Sequence, residues 1–249
     1  MKITVITVAY NSEATVLKTI DSVSNQKNIK LEYIFVDGKS SDNTYKLVKD
    51  RGSKIDILIS EKDNGIYEAV NKGISQASGE VIALLNSDDY YPNSNVLSEV
   101  IALFENDESL EAIMGGVVFV NPENLNKTVR QIKAVNFKPW MMRFGFMPPH
   151  PAVFIRKKVY DKIGLYDDSY KIAADFEFLL RLLIIFKINY KVIDAHWVTM
   201  RTGGVSTSGW KSRNLITHEM LKALRQNGIY SCILFVWLRF PVKFIRQFI

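Results

Sequence analysis

Cysteine is nearly missing from this chain: Cys232 is the single one among 249 residues. That excludes an internal disulfide and any multi-cysteine zinc site, and it fits a reducing compartment. The opening run MKITVITVAY meets Asn11, Ser12 and Glu13 at once, with no small-residue cleavage pattern. It therefore reads as a buried strand, and no secretory leader is expected. No glycine fingerprint follows that strand, which disfavours a dinucleotide-binding oxidoreductase, and no Walker lysine motif is present. Acid is scarce at the far end. After Met200, Arg201, Lys211, Arg213, Lys222, Arg225, Arg239, Lys243 and Arg246 stand against Glu219 alone. Such a basic region suits anionic lipid, a phosphorylated substrate or nucleic acid.

Apolar material is plentiful, at 47% of residues with 12% aromatic, so the chain can bury a sizeable core. The first half alternates strand-like and helix-like segments. Strands are expected over residues 2–9, 31–36, 55–59, 80–85 and 112–120, and helices over 13–23, 44–50, 65–76 and 95–106. This spacing implies βαβ units and a largely parallel sheet, whose ligands bind beyond the carboxyl ends of the strands. Three acidic groups fall at such ends: Asp37, Glu61 to Asp63, and Asp88-Asp89. In LLNSDDYY the adjacent acids repel unless a cation, a hydrogen-bond cage or water offsets them, so the stretch is either a polar turn or a metal site.

Past Asn121 the pattern changes. A polar stretch at 127–133 gives way to NFKPWMMRFGFMPPHPAVF, whose prolines make a rigid turn around His150. An apolar helix is expected over 173–186, with Asp175 and Glu177 in its first turn. A strand follows over 190–200, then a glycine- and serine-rich loop at 202–209 and a helix over 210–226. Residues 233–249 are too charged for a membrane span and suit either a basic amphipathic helix lying on an anionic membrane or a helix packed on the rest of the domain.

The stretches ITVITVAYNSE, FVDGKSSDNT, EKDNGIYEAVNKGISQASGEVIALLNSDD, IAADFEFLLRL and TGGVS, in that order over residues 2–206, resemble glycosyltransferase family 2. The narrower resemblance is to bacterial enzymes that build O-antigen, capsule or colanic-acid repeats. It implies an α/β GT-A fold, Rossmann-like, with a mixed, mainly parallel sheet flanked by helices and a C-terminal helical extension. Residues 1–206 would be the catalytic domain (1–120 the nucleotide-sugar half, 121–206 the acceptor half) and 207–249 the basic amphipathic extension. The implied reaction is inverting transfer from a nucleotide diphosphate donor, UDP-hexose or UDP-N-acetylhexosamine, with Mg²⁺ or Mn²⁺. The acceptor would be a hydroxyl of a polyprenyl-diphosphate-linked saccharide in surface polysaccharide or lipopolysaccharide synthesis. Nucleic acid is not an expected partner. The expected location is the cytoplasm, peripheral on the inner face of the bacterial membrane.

Residue by residue, the resemblance places Thr7, Ala9 and Tyr10 along the nucleobase and ribose, and Asp37 on the uracil. Asp63 and Lys72 fall in the segment flanking the nucleotide. Asn86 and Ser87 precede Asp88, which matches the metal-holding last acid of a DxD motif, with Asp89 in support. Asn86 replaces that motif's first acid; an amide still accepts from a ribose hydroxyl but brings no charge. Asp175 matches the catalytic base, although Ala174 stands where an acid is typical, and Glu177 is the fallback. His150 reads as a shaped turn bordering the acceptor, and His196 as a packed strand residue, each with a catalytic or metal role as the alternative. Arg201, Gly203 and Gly204 would border the diphosphate. Two rivals stay open. A non-catalytic sugar-nucleotide-binding module would keep Asp37 and Asp88 without turnover. A nucleotidyltransferase would need a basic glycine-rich loop near its start.

Overall fold

The computed structural model describes residues 1–203 and 209–240; Gly204 and residues 241–249, which carry Lys243 and Arg246, lie outside the described residues. The chain begins with β1 (Lys2–Ala9), α1 (Val16–Ser24), β2 (Lys30–Asp37), α2 (Thr44–Asp50), β3 (Ile57–Ser60), α3 (Ile66–Gln76), β4 (Val81–Leu84), α4 (Val96–Asn106) and β5 (Ala112–Val120). β2, β1 and β4 pair parallel in that order, and β3 adds parallel to β2. Period-two alternation in β1 decides the layers: Ile3, Val5 and Ala9 enter one core, and Ile6 and Val8 the other. The first core packs α1 and α4, through Val16, Ile20, Val100 and Phe104. The second packs α3, through Val70 and Ile74.

The second half contains β6 (Thr128–Ile132), β7 (Val153–Arg156), α5 (Lys157–Ile163), α6 (Ala174–Leu180), β8 (Tyr190–Arg201), α7 (Gly209–Gln226) and α8 (Ile233–Trp237). β7 sits between β4 and β5 and is antiparallel to both, while β6 is antiparallel and β8 parallel to β5. The full order is β3-β2-β1-β4-β7-β5-β6, with β8 on the other edge of β5. Two antiparallel steps return β5 and β8 to the direction of β4, so the carboxyl ends of β1 to β5 and β8 share one rim.

Three elements here were not expected. β6, β7 and α5 arise in stretches that read as polar or aromatic, because four- and five-residue strands carry too little periodicity to stand out. The helix expected over 173–186 ends as an α-helix at Leu180 and widens into a π-helical turn, Arg181–Ile185. The side chain of Arg181 is held there by Glu177 and the carbonyls of Ile163 and Leu165. The proline-rich stretch forms 3-10 turns at Pro139–Phe144 and His150–Ala152. α7 and α8 share the second core with α6, through Leu221, Leu224 and Val236 against the cluster of Phe176, Leu179 and Leu180. Arg239, read above as surface charge, is buried, and burial lowers its pKa to about 10. Among the described residues no helix is long and apolar enough to cross a membrane.

Candidate active site

The rim gathers the loops that follow β1, β2, β3 and β4. Asp37 ends β2 fully buried, and its carboxylate accepts from the Ser40 amide at 3.2 Å and the Ser60 hydroxyl at 2.7 Å. Gly38 follows with no room for a side chain, since a Cβ there would lie 2.5 Å from Asp63 Oδ2. Asp63 thus packs beside Asp37. Its pKa is raised, chiefly by burial, against a hydrogen bond from the Gly65 amide and the nearby Lys72 charge. Lys72 itself is paired with Glu61 at 3.0 Å and Glu68 at 2.9 Å, and it donates to the Lys62 carbonyl.

The β1 loop turns at Asn11 and is stitched to its neighbour. The Asn11 amide donates to Ser40 Oγ at 2.9 Å, and the Ser41 amide donates to Asn11 Oδ1. Ala9 is buried and Tyr10 is 64% exposed, leaving its ring open at the rim. Thr7 lies inside the core, where its hydroxyl accepts from Tyr33 Oη at 3.1 Å.

The turn after β4 is anchored from α1. Thr19 Oγ1 contacts the carbonyls of Ser87 and Asp89 at 2.9 and 2.7 Å, and Ser87 Oγ pairs with Ser12 Oγ at 2.8 Å. Asp88 stays half-buried with a pKa raised by burial, although Arg201 works against the shift. Asp89 is buried and shifted well upward by burial and by Asp88, and the Asn86 amide donates to it at 3.3 Å. Its Oδ1 has no hydrogen-bond partner among the described residues. Arg201, at the end of β8, donates to the Asp88 carbonyl and stacks over Tyr90 at 5.5 Å. Lys18 lies over the same ring at 4.1 Å, so two cations flank the acidic turn. The arrangement offers one half-buried carboxylate backed by a second, buried one whose Oδ1 lacks a hydrogen-bond partner among the described residues. No cluster of three His, Cys, Asp or Glu stands ready among the described residues. These groups fit a hard cation shared with a ligand's phosphates, not an all-protein cage.

Asp175 opens α6. Its Oδ1 accepts from the Phe176 amide at 2.7 Å and, more weakly, from Tyr67 Oη at 3.4 Å. Tyr67 stands in the first turn of α3, just past the rim end of β3, and so brings Asp175 to the same rim. Burial among aromatic rings pushes the Asp175 pKa up to about 6, with the two hydrogen bonds opposing. Tyr67 stacks on Tyr166 at 6.0 Å, and Tyr166 stacks on Phe178 at 4.3 Å. His150 closes this cluster through a 2.9 Å bond to Tyr166 Oη, and burial lowers its pKa to about 4, which keeps it neutral.

Two expected candidates point elsewhere. Glu177 is turned inward onto Arg181, at 2.8 Å. His196 sits against Gly116 on β8, five residues before Arg201, about 16 Å back along an extended strand. Gly203 follows β8 and is exposed with φ 105°. Sequence reading missed three contributors: Tyr67, Lys18 and Glu219. Glu219 of α7 accepts from the amides of Lys171, Ile172 and Ala173 at 2.8–2.9 Å, immediately before α6. The signal was present, because Glu219 is the lone acid in a basic segment.

A twisted mixed sheet with acids on one rim, backed by helices on both faces, is a glycosyltransferase arrangement of the GT-A kind, as the comparisons bear out. Residues 4–164 match the family model described as glycosyl transferase family 2, and the chain belongs to that family. The chain is 27% identical over 188 residues to an uncharacterized glycosyltransferase of Mycobacterium tuberculosis, covering 74% of this chain and 69% of that one. It superimposes on S. aureus TarS residues 1–349 with a TM-score of 0.67 and 19% identity, over 90% of this chain and 65% of that one. Glucosyl-3-phosphoglycerate synthase of M. tuberculosis, crystallised with Mn²⁺, UDP and phosphoglyceric acid, matches with a TM-score of 0.65 and 16% identity. That match covers 92% of this chain and 80% of that one.

Proposed function

We propose that the protein is an inverting glycosyltransferase that takes a hexose or N-acetylhexosamine from a UDP-linked donor and passes it to an acceptor hydroxyl. The observation that carries this reading is Asp175: a carboxylate with a pKa near 6, on the rim that also carries Asp37 and Asp88. Asp37 receives the base of the nucleotide, beside Tyr10 and Asp63. Asn86 and Ser87 face the ribose, and Arg201 with Gly203 borders the diphosphate. A divalent cation, Mg²⁺ or Mn²⁺, would be held by Asp88 and would offset charge on the departing diphosphate.

Asp175 accepts a hydrogen bond from the acceptor hydroxyl and takes its proton as the oxygen bonds to the anomeric carbon. The bond from that carbon to the diphosphate breaks on the opposite face, and the electron pair leaves with the UDP. An α-linked donor therefore yields a β-glycoside. Residues 1–120 hold the donor and 121–206 shape the acceptor side, where the neutral His150 and the aromatic cluster keep water from Asp175. Tying the 171–173 amides to Glu219 makes α7 part of the same catalytic unit. The acceptor is read as a lipid-linked saccharide of bacterial surface polysaccharide synthesis, reached from the cytoplasmic side. The apolar side chains exposed on α8 support that placement.

The test is a thermal-shift screen of nucleotide sugars with and without Mn²⁺, followed by a transfer assay with the stabilising donor. A UDP-sugar that stabilises the protein and is consumed only with an acceptor present supports the reading. Stabilisation by no nucleotide sugar overturns it.

A further inference from the structure

Several large apolar side chains open to water come from the Pro139–Phe144 turn, the end of α6 and α8 with its flanks. Trp140 is 62% exposed, Leu234 70% and Trp237 49%, and Ile185, Leu238 and Tyr230 are exposed as well. They come from three separate parts of the chain, yet packing joins them. The ring of Phe144 in the Pro139–Phe144 turn stacks on Phe235 of α8 at 5.1 Å, and Trp140 stands edge-on to Phe144 at 6.0 Å. Ser231 Oγ donates to the Arg143 carbonyl at 2.6 Å, fixing the turn against the start of α8. Between the turn and the π-helical end of α6 runs a groove of about 490 Å³, floored by Leu183 and Ile184 and flanked by Arg143 and Lys187. A second groove of about 600 Å³ lies between α7 and α8, with Lys222, Arg225 and His218 along it. Among the described residues no acidic side chain lines either groove.

We propose that this face, built by the Pro139–Phe144 turn, the end of α6 and α8, is the surface on which the protein lies against an anionic lipid bilayer. Tryptophans and leucines standing out beside exposed cations match the two layers of such a surface, acyl boundary below and headgroup phosphate above. The core of a protein–protein interface would instead be depleted of charge. The placement also has a geometric consequence. α6 and its π-helical turn run from Asp175 to Ile185, ten residues, so the base lies about 15 Å along the helix from that end. A saccharide on a lipid carrier would reach it from that surface. The inference rests on the reading above that the acceptor is carried on a lipid, and it assigns the contact to this folded face instead of to residues 241–249.

The experiment is vesicle co-sedimentation with the full-length chain, using phosphatidylglycerol-containing and pure phosphatidylcholine vesicles. Three variants are compared: the face variant Trp140→Ser, Leu234→Ser, Trp237→Ser; the charge variant Arg143→Ala, Lys187→Ala; and the tail variant Lys243→Ala, Phe244→Ser, Arg246→Ala. All replaced face and charge positions are exposed, and circular dichroism with UDP-dependent thermal stabilisation checks that each variant folds. The face variant should lose binding by about a hundredfold, and the charge variant by about tenfold with most of its salt dependence. The tail variant should lose no more than about threefold.

Wild-type binding to phosphatidylcholine as tight as to phosphatidylglycerol overturns the inference, as does a face variant that binds like wild type. So does loss of binding confined to the tail variant. A dimer in solution that the face variant breaks, with vesicle binding unchanged, overturns it in favour of a second copy of this chain. A protein that binds no vesicle yet transfers sugar to a soluble acceptor sinks the membrane placement and leaves the transferase reading standing.

Discussion

Asp37 and Asp175 are the same residue type at the same rim, but their surroundings are opposite. Asp37 ends a central strand inside a polar cage, taking the Ser40 amide on both oxygens and the Ser60 hydroxyl at 2.7 Å. Asp175 starts a helix among tyrosines and a phenylalanine, with one good donor and one long one. A caged carboxylate is held in one orientation, which suits recognition. A carboxylate short of donors in apolar surroundings is pushed toward a pKa near 6, which suits taking a proton. The contrast can be broken from either side.

The largest effect should come from Asp175→Asn, which removes the proposed base and leaves the shape. Transfer should fall by about a thousandfold, with UDP affinity by calorimetry unchanged. Full activity in this variant would refute the assignment. In the wild type, the rate should rise with pH through about 6 as Asp175 loses its proton. Stability runs the other way. A carboxyl whose folded pKa is raised above its unfolded value favours the folded state below about pH 4, and that contribution is lost as pH rises through 6. Asp175→Asn should therefore be more stable than wild type at pH 8, by about 1–2 kcal/mol after allowing for partial exposure, and equal to it at pH 4. Denaturant melts at the two pH values check this.

Asp37→Ala acts on the other member of the pair. UDP binding should weaken about ten- to a hundredfold while the pH midpoint of transfer stays put. Next comes Glu219→Gln, which sets amide hydrogens against the Lys171, Ile172 and Ala173 amides. A loss of about 1–3 kcal/mol is expected in urea unfolding, with a lower kcat from a loosened α6 start. The smallest change belongs to Tyr67→Phe. The Tyr67 hydroxyl makes its shorter bond to the Ile172 carbonyl, at 2.5 Å, and only a 3.4 Å contact with Asp175. Removing a donor to the charged form should raise the pH midpoint by about half a unit or less. A midpoint that falls would show that Tyr67 does not support the carboxylate.

The linear chain showed residues 1–120 well and the stretch from 121 to 163 poorly. β1 to β5 and the helices between them were readable because buried parallel strands and amphipathic helices each leave a strong period, and acids at strand ends marked the rim. β6, β7 and α5 escaped notice because each is short and β7 is buried on both faces, so neither alternation nor helical spacing has room to show. Among site residues, Asp37, Asp88 and Asp175 were visible as types in a pattern. Lys72 was visible too, but its pairing with Glu61 and Glu68 was not.

Strand alternation, the acidic strand ends and the family are thus properties of residue order, since local periodicity and motif spacing need no third dimension. Folding alone decided which acid would be caged and which left among rings. It placed Glu219 under α6 across 46 residues of chain, and it stacked Phe144 of the Pro139–Phe144 turn on Phe235 of α8. A carboxylate's chemistry depends on its donors and its distance from water, and both are supplied by residues remote in the chain.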